Sequence, residues 1–250
     1  MAEHGELVST NDTALDSARA GDPGRLWITA ASQTGGRGRN GRSWTSHPGN
    51  LFASLLLIDP APPRRAPELG FVASIALAQA LREVLGDGPA VKIKWPNDIL
   101  GNGAKVAGIL LESAPVAQGL ACVAGIGVNC ASHPDGPLLY KTNDLSAIAG
   151  REVTPGMVLE PLAAFMAHWL GVWSQPAGFE TIRAEWLTLA AGQGEKIRVT
   201  RPKDAVEGVF KTIDATGRLL LQQDLNEIAI DAGDVFLLPP GAAPQLMRTN

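Results

Sequence analysis

The stretch Val91–Cys130 decides the fold of this chain and reads VKIKWPNDILGNGAKVAGILLESAPVAQGLACVAGIGVNC. Its aliphatic residues fall into runs of strand length, and the links GNGA and PVAQG carry the glycine and polar residues typical of hairpin turns. The predicted strands are Val91–Trp95, Ile99–Leu100, Lys105–Ser113 and Leu120–Cys130. Because consecutive strands joined by short turns run antiparallel, the stretch predicts a β-meander.

Strand and helix patterns alternate on both sides of this meander. Ser9-Thr10-Asn11 supplies helix caps, and the following residues, up to Ala20, predict a helix. The other predicted elements are a strand over Leu26–Ala30, a loop over Ala31–Asn50, a strand over Leu51–Ile58, and helices over Glu68–Leu85, Met157–Ser174 and Phe179–Leu189. This order of elements predicts an α/β domain over residues 1–190.

Beyond the candidate linker AAGQG, residues 190–194, the pattern changes to short alternating strands split by the turns ATG and DLN. The predicted strands are Lys196–Thr200, Val206–Ile213, Arg218–Gln222, Glu227–Ile230 and Val235–Leu238. They predict a small β-barrel domain over residues 191–250. Its tail, PPGAAPQLMRTN, has little to bury and is expected to be mobile.

Composition excludes several classes of protein. The 250 residues carry a net charge of −4 and are 45% hydrophobic and 18% charged, which argues against a basic nucleic-acid coat and against a disordered chain. No apolar run is long enough for a membrane span, and the amino terminus does not resemble a secretory signal. Cys122 and Cys130 are the only cysteines and are expected to be reduced, which suits a cytoplasmic protein.

Known catalytic motifs are also missing from the sequence. It contains no G-x-S-x-G elbow, no H-E-x-x-H and no cysteine pair at metal-ligand spacing, and its four histidines are scattered. These observations argue against a hydrolase of the common serine or zinc types.

The segment Gln33–Trp44, QTGGRGRNGRSW, holds three arginines and four glycines in twelve residues. It matches the dinucleotide fingerprint and resembles a phosphate loop, but both motifs must deliver phosphate to the start of a helix. The continuation contains Pro48 and Gly49 and then an apolar strand, so neither motif applies. Glycines that permit close backbone approach, together with guanidinium donors, still predict an anion-binding loop. A solvated basic surface loop is the alternative.

Three further short patterns belong to the predicted meander. Lys92 and Lys94 share one face of a strand that ends in a Pro-Asn-Asp turn, and G-I-G-V-N ends at Asn129. Strand alternation places Lys105 on the same face as Ala107, and a lysine on an apolar face is expected to be paired. Alone, the Pro-Asn-Asp pattern is a weak signal because it is an ordinary hairpin turn. G-I-G-V-N alone is better explained by strand glycines near a close packing contact.

In their order along residues 9 to about 238, the motifs S-T-N, Q-x-G-G-R-G-R-x-G-R-x-W, K-W-P-N-D, K-x-A-G-I-L-x-E and G-I-G-x-N resemble the biotin protein ligase family. The resemblance implies a mixed-sheet α/β catalytic domain followed by a small SH3-like β-barrel. It implies an ATP-dependent ligase that forms biotinyl-5′-adenylate and transfers biotin to a lysine of a biotin carboxyl carrier protein. Eight residues precede Ser9, so we expect the form without an amino-terminal DNA-binding domain.

The resemblance also implies roles for individual residues. The expected catalytic residues are Lys105, Arg37 and Arg39. The expected biotin-binding residues are Ser9, Thr10, Asn11, Gln33, Arg37, Gly38, Arg39, Lys105 and Gly108. The expected ATP-binding residues are Arg37, Arg39, Arg42, Trp44, Asn97 and Asn129. Asp98 is the expected metal ligand, with Mg²⁺ accompanying ATP. The last strand ends without a basic residue, so no ligand contact is assigned to the second domain.

The implied partners are biotin, ATP and a carrier protein, with no DNA and no membrane, in the cytoplasm; a homodimer is left open. A lipoate or octanoate protein ligase of the same fold is the nearest alternative function, although it lacks the arginine-glycine loop. A non-enzymatic RNA-binding module that uses the basic loop is a second alternative, and the net negative charge argues against it.

Overall fold

The computed structural model describes residues 1–135 and 140–238, and the tail predicted to be mobile lies outside these residues. The first part of the chain forms a seven-stranded mixed sheet in the order β1-β2-β3-β7-β6-β5-β4. Its strands are β1 (Ala2–Leu7), β2 (Leu26–Gln33), β3 (Leu51–Ile58), β4 (Val91–Lys94), β5 (Asp98–Gly101), β6 (Ala104–Val116) and β7 (Gly119–Val128). Strand β1 runs parallel to β2, and the other neighbouring strands are antiparallel.

The helices cover the two faces of this sheet unequally. They are α1 (Thr10–Arg19), α2 (Leu69–Leu85), α3 (Leu145–Ala149), α4 (Pro155–Trp173) and α5 (Gly178–Leu189). Helix α2 is apolar nearly all round, with 12 of its 17 residues buried between the sheet and helices α4 and α5. Helix α1 packs on the opposite face, where it contacts β3 and β7. Strand β3 is covered on both sides, which explains why its sequence is apolar except for the buried Ser54.

The second part of the chain forms a five-stranded antiparallel sheet, in agreement with the expected SH3-like barrel. Its strands are β8 (Lys196–Thr200), β9 (Ala205–Ile213), β10 (Leu219–Gln223), β11 (Asn226–Ile230) and β12 (Asp234–Leu237), in the order β11-β10-β9-β8-β12. The predicted division at residue 190 falls between α5 and β8 and stays a prediction. The segment between them is held to the first sheet, because Ala191 N–H donates to the Ile93 carbonyl over 2.8 Å.

Aromatic side chains join the two parts into one core. Phe71 of α2 packs edge-to-face on Trp186 of α5 with centroids 5.6 Å apart, and Trp186 packs on Phe210 of β9 at 6.5 Å. Trp95 Nε1 donates to the carbonyl of Gly217, in the β9–β10 turn, over 3.1 Å. These contacts fix the barrel next to the end of β4, which brings β12 close to the same edge of the sheet.

Three features of the first part of the chain were not predicted. Strand β1 is short and largely exposed, and α3 has only five residues, so neither has a strong apolar period. The third feature is a bulge in β6. Ile99 pairs with Ala107 but Leu100 pairs with Lys105, which leaves Val106 as an extra residue.

The bulge corrects the expectation that Lys105 shares a face with Ala107. Ala107 is fully buried in the core under α2, whereas a Cβ on Gly108 would lie 3.4 Å from Lys105 Cε. Lys105 therefore projects from the other face of the sheet, the face that carries α1.

Both cysteines are free and buried, as expected for reduced thiols. Burial raises the pKa of the Cys130 thiol to about 12, so this thiol stays protonated at neutral pH. Within residues 1–135 and 140–238, no helix has the length and apolar character needed to cross a membrane.

Replacing Phe210 with alanine tests the shared core. Phe210 is 1% exposed, so Phe210→Ala should lower the free energy of unfolding by roughly 3–5 kcal/mol. Urea unfolding followed by far-ultraviolet circular dichroism measures this change. Leu225→Ala is the control, because Leu225 is 98% exposed and its loss should change stability by about 0.5 kcal/mol at most. Equal midpoints for the two variants would contradict a shared core.

Candidate active site

A cavity opens on the α1 face of the sheet, between the start of α1, the arginine-glycine loop of residues 36–42 and strand β12. The predicted site residues that line it are Ser9, Thr10, Asn11, Gln33, Arg37, Gly38, Arg39, Arg42, Trp44, Asn97, Asp98, Lys105 and Gly108. Of the predicted set, Asn129 alone is absent from this lining. The fold therefore brings together motifs that are up to about a hundred residues apart in sequence.

Polar side chains at the start of α1 form one end of the cavity. Ser9 caps the helix, and its Oγ accepts from the Asp12 N–H. Gln33 Oε1, at the end of β2, accepts from the Thr10 N–H over 2.8 Å. Ser54 Oγ of β3 lies 2.8 Å from Thr10 Oγ1. The side chains of Ser9, Thr10 and Gln33 that line this end are uncharged hydrogen-bonding groups, so they suit a neutral polar group of a ligand.

Glycines form the floor of the cavity because no side chain would fit there. A Cβ on Gly125 would lie 2.2 Å from Asn11 Oδ1, and a Cβ on Gly127 would lie 2.6 Å from Trp44 Cε2. A Cβ on Gly108 would lie 3.0 Å from the same indole ring. The glycines of the A-G-I-L and G-I-G motifs thus seat Asn11 and Trp44 against the sheet. Trp44 Nε1 is buried there without a hydrogen-bond partner among the described residues.

The arginine-glycine loop is a tight backbone turn closed by its own hydrogen bonds. Gly38 N–H donates to the Arg42 carbonyl over 2.7 Å, and Trp44 N–H donates to the Gly36 carbonyl over 2.9 Å. Asn40 and Gly41 adopt positive φ angles of 57° and 70° at the tip. These conformations suit asparagine and glycine, which explains the N-G pair in the sequence.

The side chain of Arg37 is fully engaged by two carboxylates. Its Nη2 lies 2.6 Å from Asp12 Oδ1 of α1 and 2.9 Å from Glu112 Oε2 of β6. Its Nη1 and Nε donate to the same two carboxylates at 2.9 and 3.2 Å. The hydrogen bond with Asp12 and the contacts with Glu112 raise the pKa of Arg37 despite partial burial. Arg37 therefore ties the loop to α1 and β6.

The other two arginines of the loop face the barrel. Arg42 forms an ion pair with Asp234 at the start of β12, and this hydrogen bond raises the pKa of Arg42. Among the described residues, Arg39 makes only long contacts, 3.3 Å to Asn97 Oδ1 and 3.4 Å to the Gly233 carbonyl. Burial lowers the pKa of Arg39, while Asp234 acts in the opposite direction. Arg39 is consequently the loop guanidinium with the most capacity for an anion.

A buried cluster of one carboxylate and two ammonium groups forms the opposite end of the cavity. Asp98 Oδ1 lies 2.6 Å from Lys105 Nζ, and Oδ2 lies 3.0 Å from Lys94 Nζ. Both ammonium nitrogens lie 4.9 Å from the centre of the Tyr140 ring. Burial acts to raise the pKa of Asp98, but Lys105 and Lys94 outweigh it and hold the pKa below its ordinary value. The cluster keeps one unbalanced positive charge, which suits an anionic ligand.

This arrangement does not fit the predicted role of Asp98 as a metal ligand. Each of its oxygens already contacts an ammonium nitrogen, and a cation would have to displace one of them. Over residues 1–135 and 140–238 there is also no group of three or more acidic, histidine or cysteine side chains able to hold a metal.

Asn129, predicted to contact the nucleotide, is instead buried behind the cavity. Its Nδ2 donates to the Asn143 carbonyl over 3.1 Å, and its own carbonyl accepts from the Leu145 N–H. The Asn143 N–H in turn donates to the Lys105 carbonyl over 3.0 Å. Asn129 thus holds the segment after β7 next to Lys105.

The sequence motifs did not identify several residues of the site. Lys94 was noticed on its strand but not assigned to the site, although K-W-P-N-D places it four residues before Asp98. Glu112 closes the K-x-A-G-I-L-x-E motif and was likewise left without a role. Tyr140 and the stretch Asp234–Phe236 also line the cavity. No local pattern marks them, because only the tertiary fold brings them to this face.

Two family models match this chain. The model described as the biotin/lipoate A/B protein ligase family matches residues 5–129. The model described as the biotin protein ligase C terminal domain matches residues 193–238. Together they cover the sheet that carries the cavity and the barrel that closes it.

Curated relatives match nearly the whole chain. A biotin–acetyl-CoA-carboxylase ligase of Paracoccus denitrificans is 40% identical over 233 residues, covering 91% of this chain and 96% of the relative. A bifunctional ligase/repressor of Bacillus subtilis is 33% identical over 240 residues, covering 94% of this chain and 73% of the relative. A solved structure, the biotin protein ligase of Aquifex aeolicus in complex with biotin and ATP, has a TM-score of 0.80 at 22% identity over 94% of this chain and 97% of that one. It shows the same fold.

Replacing Gly127 with alanine tests the glycine floor. The new Cβ cannot coexist with the present position of Trp44, so the indole and the attached loop should move. Limited trypsin digestion should then cleave after Arg37, Arg39 or Arg42 several-fold faster than in the unaltered protein. Gly171→Ala is the control, because nothing lies within 4 Å of its added Cβ. Unchanged cleavage at the loop in Gly127→Ala would contradict the proposed packing.

Replacing Asp98 with asparagine tests the charge cluster. Two buried ammonium groups would lose their counter-charge, so Asp98→Asn should cost roughly 3–5 kcal/mol in the free energy of unfolding at pH 7. Because the pKa of Asp98 is lower in the folded state, its contribution is present above the ordinary pKa of about 4 and is lost as the pH falls through the folded-state value. The two proteins should therefore converge in strong acid.

Chemical unfolding at pH 7 and at pH 3 measures the effect of Asp98→Asn. The control is Asp16→Asn, since the Asp16–Arg19 pair is exposed and its loss should cost about 1 kcal/mol at most. A difference in the free energy of unfolding between Asp98→Asn and the unaltered protein that is larger at pH 3 than at pH 7 would contradict this prediction.

Proposed function

Because this chain belongs to the biotin/lipoate A/B protein ligase family, we propose that it is a biotin–acetyl-CoA-carboxylase ligase that uses ATP. The product is a carrier protein with biotin joined to one lysine. The observation that carries the proposal is a cavity with a neutral hydrogen-bonding end and a cationic end, as a substrate with a neutral head group and a carboxylate requires. The curated relatives named above are biotin ligases, which favours biotin over the lipoate or octanoate alternative.

The first chemical step joins two anions. A carboxylate oxygen of biotin bonds to the α-phosphorus of ATP, the bond from this phosphorus to the bridging oxygen breaks, and pyrophosphate leaves with the electron pair. Lys105 lies at the cationic end and is proposed to neutralise the carboxylate and the charge that develops at phosphorus. Fixed cationic donors act strongly in such a cavity, because they need no reorganisation during the reaction.

The proposed biotin contacts come from the neutral end of the cavity and its floor. Ser9, Thr10, Asn11 and Gln33 are proposed to bind the ureido ring, and Gly108 leaves room for the ligand above the sheet. Gly38 and the backbone at Arg37 are proposed to approach the carboxylate. The Arg37 side chain is already held by two carboxylates, so the structure favours Arg39 for the phosphate contact.

The nucleotide is proposed to lie towards the barrel, against Arg39, Arg42, Trp44 and Asn97. Asn129 supports this region from behind and contacts no ligand in this proposal. Mg²⁺ stays a prediction, and no step is assigned to it. Cytoplasmic location and the absence of DNA binding also stay predictions.

In the second step, the acceptor lysine of the carrier attacks the carbonyl carbon of biotinyl-adenylate. A new amide bond forms, the bond to the phosphate oxygen breaks, AMP leaves, and the amine loses a proton. Lys105 and Arg39 are proposed to stabilise the negative charge on the departing phosphate. Both steps therefore use the same cationic end of the cavity.

Replacing Lys105 with methionine tests the catalytic assignment. The stem volume is similar, so the fold should be retained, while loss of one fixed cationic donor should lower turnover on the order of a hundredfold to a thousandfold. Biotin-dependent ATP–pyrophosphate exchange at saturating substrates measures turnover, and a thermal melt checks the fold. Lys203→Met is the control, because Lys203 is exposed in the barrel. Near-normal exchange in a folded Lys105→Met protein would exclude the catalytic role.

A further inference from the structure

Glu112 has a second partner besides Arg37, and that partner belongs to the proposed biotin site. Asn11 Nδ2 donates to Glu112 Oε2 over 2.6 Å. The same oxygen lies 2.9 Å from Arg37 Nη2. Glu112 therefore connects the arginine of the loop with the side-chain amide of Asn11 on α1.

The Arg37 side chain is not available to a substrate anion, because two carboxylates already pair with its guanidinium. One guanidinium faces two carboxylates, Asp12 and Glu112, so the group has a net charge of −1. The Lys94–Asp98–Lys105 cluster at the other end of the cavity has a net charge of +1. An anionic ligand would thus gain nothing from the Arg37 side chain and would be attracted to the lysines.

Glu112 determines the orientation of the Asn11 side-chain amide, that is, which of its two terminal atoms faces the carboxylate. An ionised carboxylate only accepts hydrogen bonds, so the amide atom that faces it must be the nitrogen. The amide oxygen then faces Ser54 Oγ, 2.6 Å away, above Gly125. Ser54 can donate only one hydrogen, and a carbonyl oxygen has two lone pairs, so Asn11 Oδ1 keeps capacity for a second donor. Asn11 and Gly125 both line the cavity.

We propose that Glu112, held by Arg37, is a positioning residue that selects biotin by fixing the Asn11 amide with its oxygen towards the ligand. In this orientation Asn11 accepts a hydrogen bond from a ureido N–H. A head group without an N–H donor would leave Asn11 Oδ1 without this partner, and such unpaired buried groups discriminate strongly between ligands. The inference rests on the proposed function, because it assigns the ligand of Asn11.

The substitution Glu112→Gln keeps the shape of the side chain but lets its amide either donate or accept. The Asn11 amide can then adopt both orientations, and only one of them accepts a hydrogen bond from the ureido N–H. The KM for biotin should therefore rise roughly tenfold to a hundredfold. The kcat of biotin-dependent pyrophosphate exchange and the KM for ATP should stay within about threefold of the unaltered values, since the lysine cluster is untouched.

A substrate analogue separates positioning from a general structural effect. Biotin methylated on a ureido nitrogen lacks one N–H donor, and the unaltered protein should discriminate against it. In Glu112→Gln this discrimination should shrink by about the same factor as the rise in KM for biotin, because the amide nitrogen can now face the ligand. Asn11→Ala should lose the discrimination as well, and the double variant of Asn11→Ala with Glu112→Gln should discriminate no less than the more affected single variant.

Glu6→Gln is the control, since Glu6 lies on the exposed strand β1, away from the cavity. Unchanged KM and unchanged discrimination in Glu112→Gln would overturn the inference, as would equal losses in kcat and in the KM for ATP. If Glu112→Gln does not fold, Asn11→Ala decides: unchanged discrimination between biotin and its methylated analogue in that variant would overturn the inference. Failure of the proposed function looks different, because the unaltered protein would then show no biotin-dependent exchange at all.

Discussion

The site depends on burying two ammonium groups against a single carboxylate. Moving charges out of water costs several kcal/mol for each ion unless partners replace the lost hydration, so Lys94 and Lys105 require Asp98. One carboxylate cannot balance both lysines, and the remaining positive charge lies where the cavity must receive an anion. The bulge at Val106 turns Lys105 away from the core and into this cluster. Without it, strand alternation would direct the ammonium group into apolar packing under α2.

The rest of the fold arranges a neutral surface opposite this charge. Gly125 and Gly127 have no Cβ, so Asn11 and Trp44 can lie directly against the backbone of the sheet. The barrel supplies Asp234, which holds Arg42 and so keeps the arginine-glycine loop over the cavity. The aromatic contacts between α2, α5 and β9 keep the barrel in place for this purpose. Charge separation across one cavity is therefore a property of the whole chain.

Sequence patterns predicted those parts of the molecule in which local signals and tertiary packing agree. Strand β3 was predicted with the correct bounds because it is buried on both faces, and the barrel strands were located to within about one residue of their observed bounds. Composition predicted a loop at the arginine-glycine segment but left open whether this loop binds an anion or is a solvated basic surface loop. The face of the sheet from which Lys105 projects was predicted wrongly, because a bulge cannot be recognised in the hydrophobic pattern. Glu112, Tyr140 and Asp234 were missed because contacts across 35 to 192 positions in sequence give them their roles. Arg37 illustrates a different limit: the sequence identifies a cation but not the carboxylates that neutralise it.

The most direct test of the account combines biotin, ATP with Mg²⁺ and a carboxylase carrier domain with the purified protein. Pyrophosphate exchange and the mass of the carrier are measured with biotin, and in parallel with lipoate and octanoate. The account predicts exchange that depends on biotin and a carrier that gains one biotin on one lysine. Exchange with lipoate or octanoate but not with biotin would contradict it, because the neutral end of the cavity would then recognise an aliphatic chain and not a ureido ring.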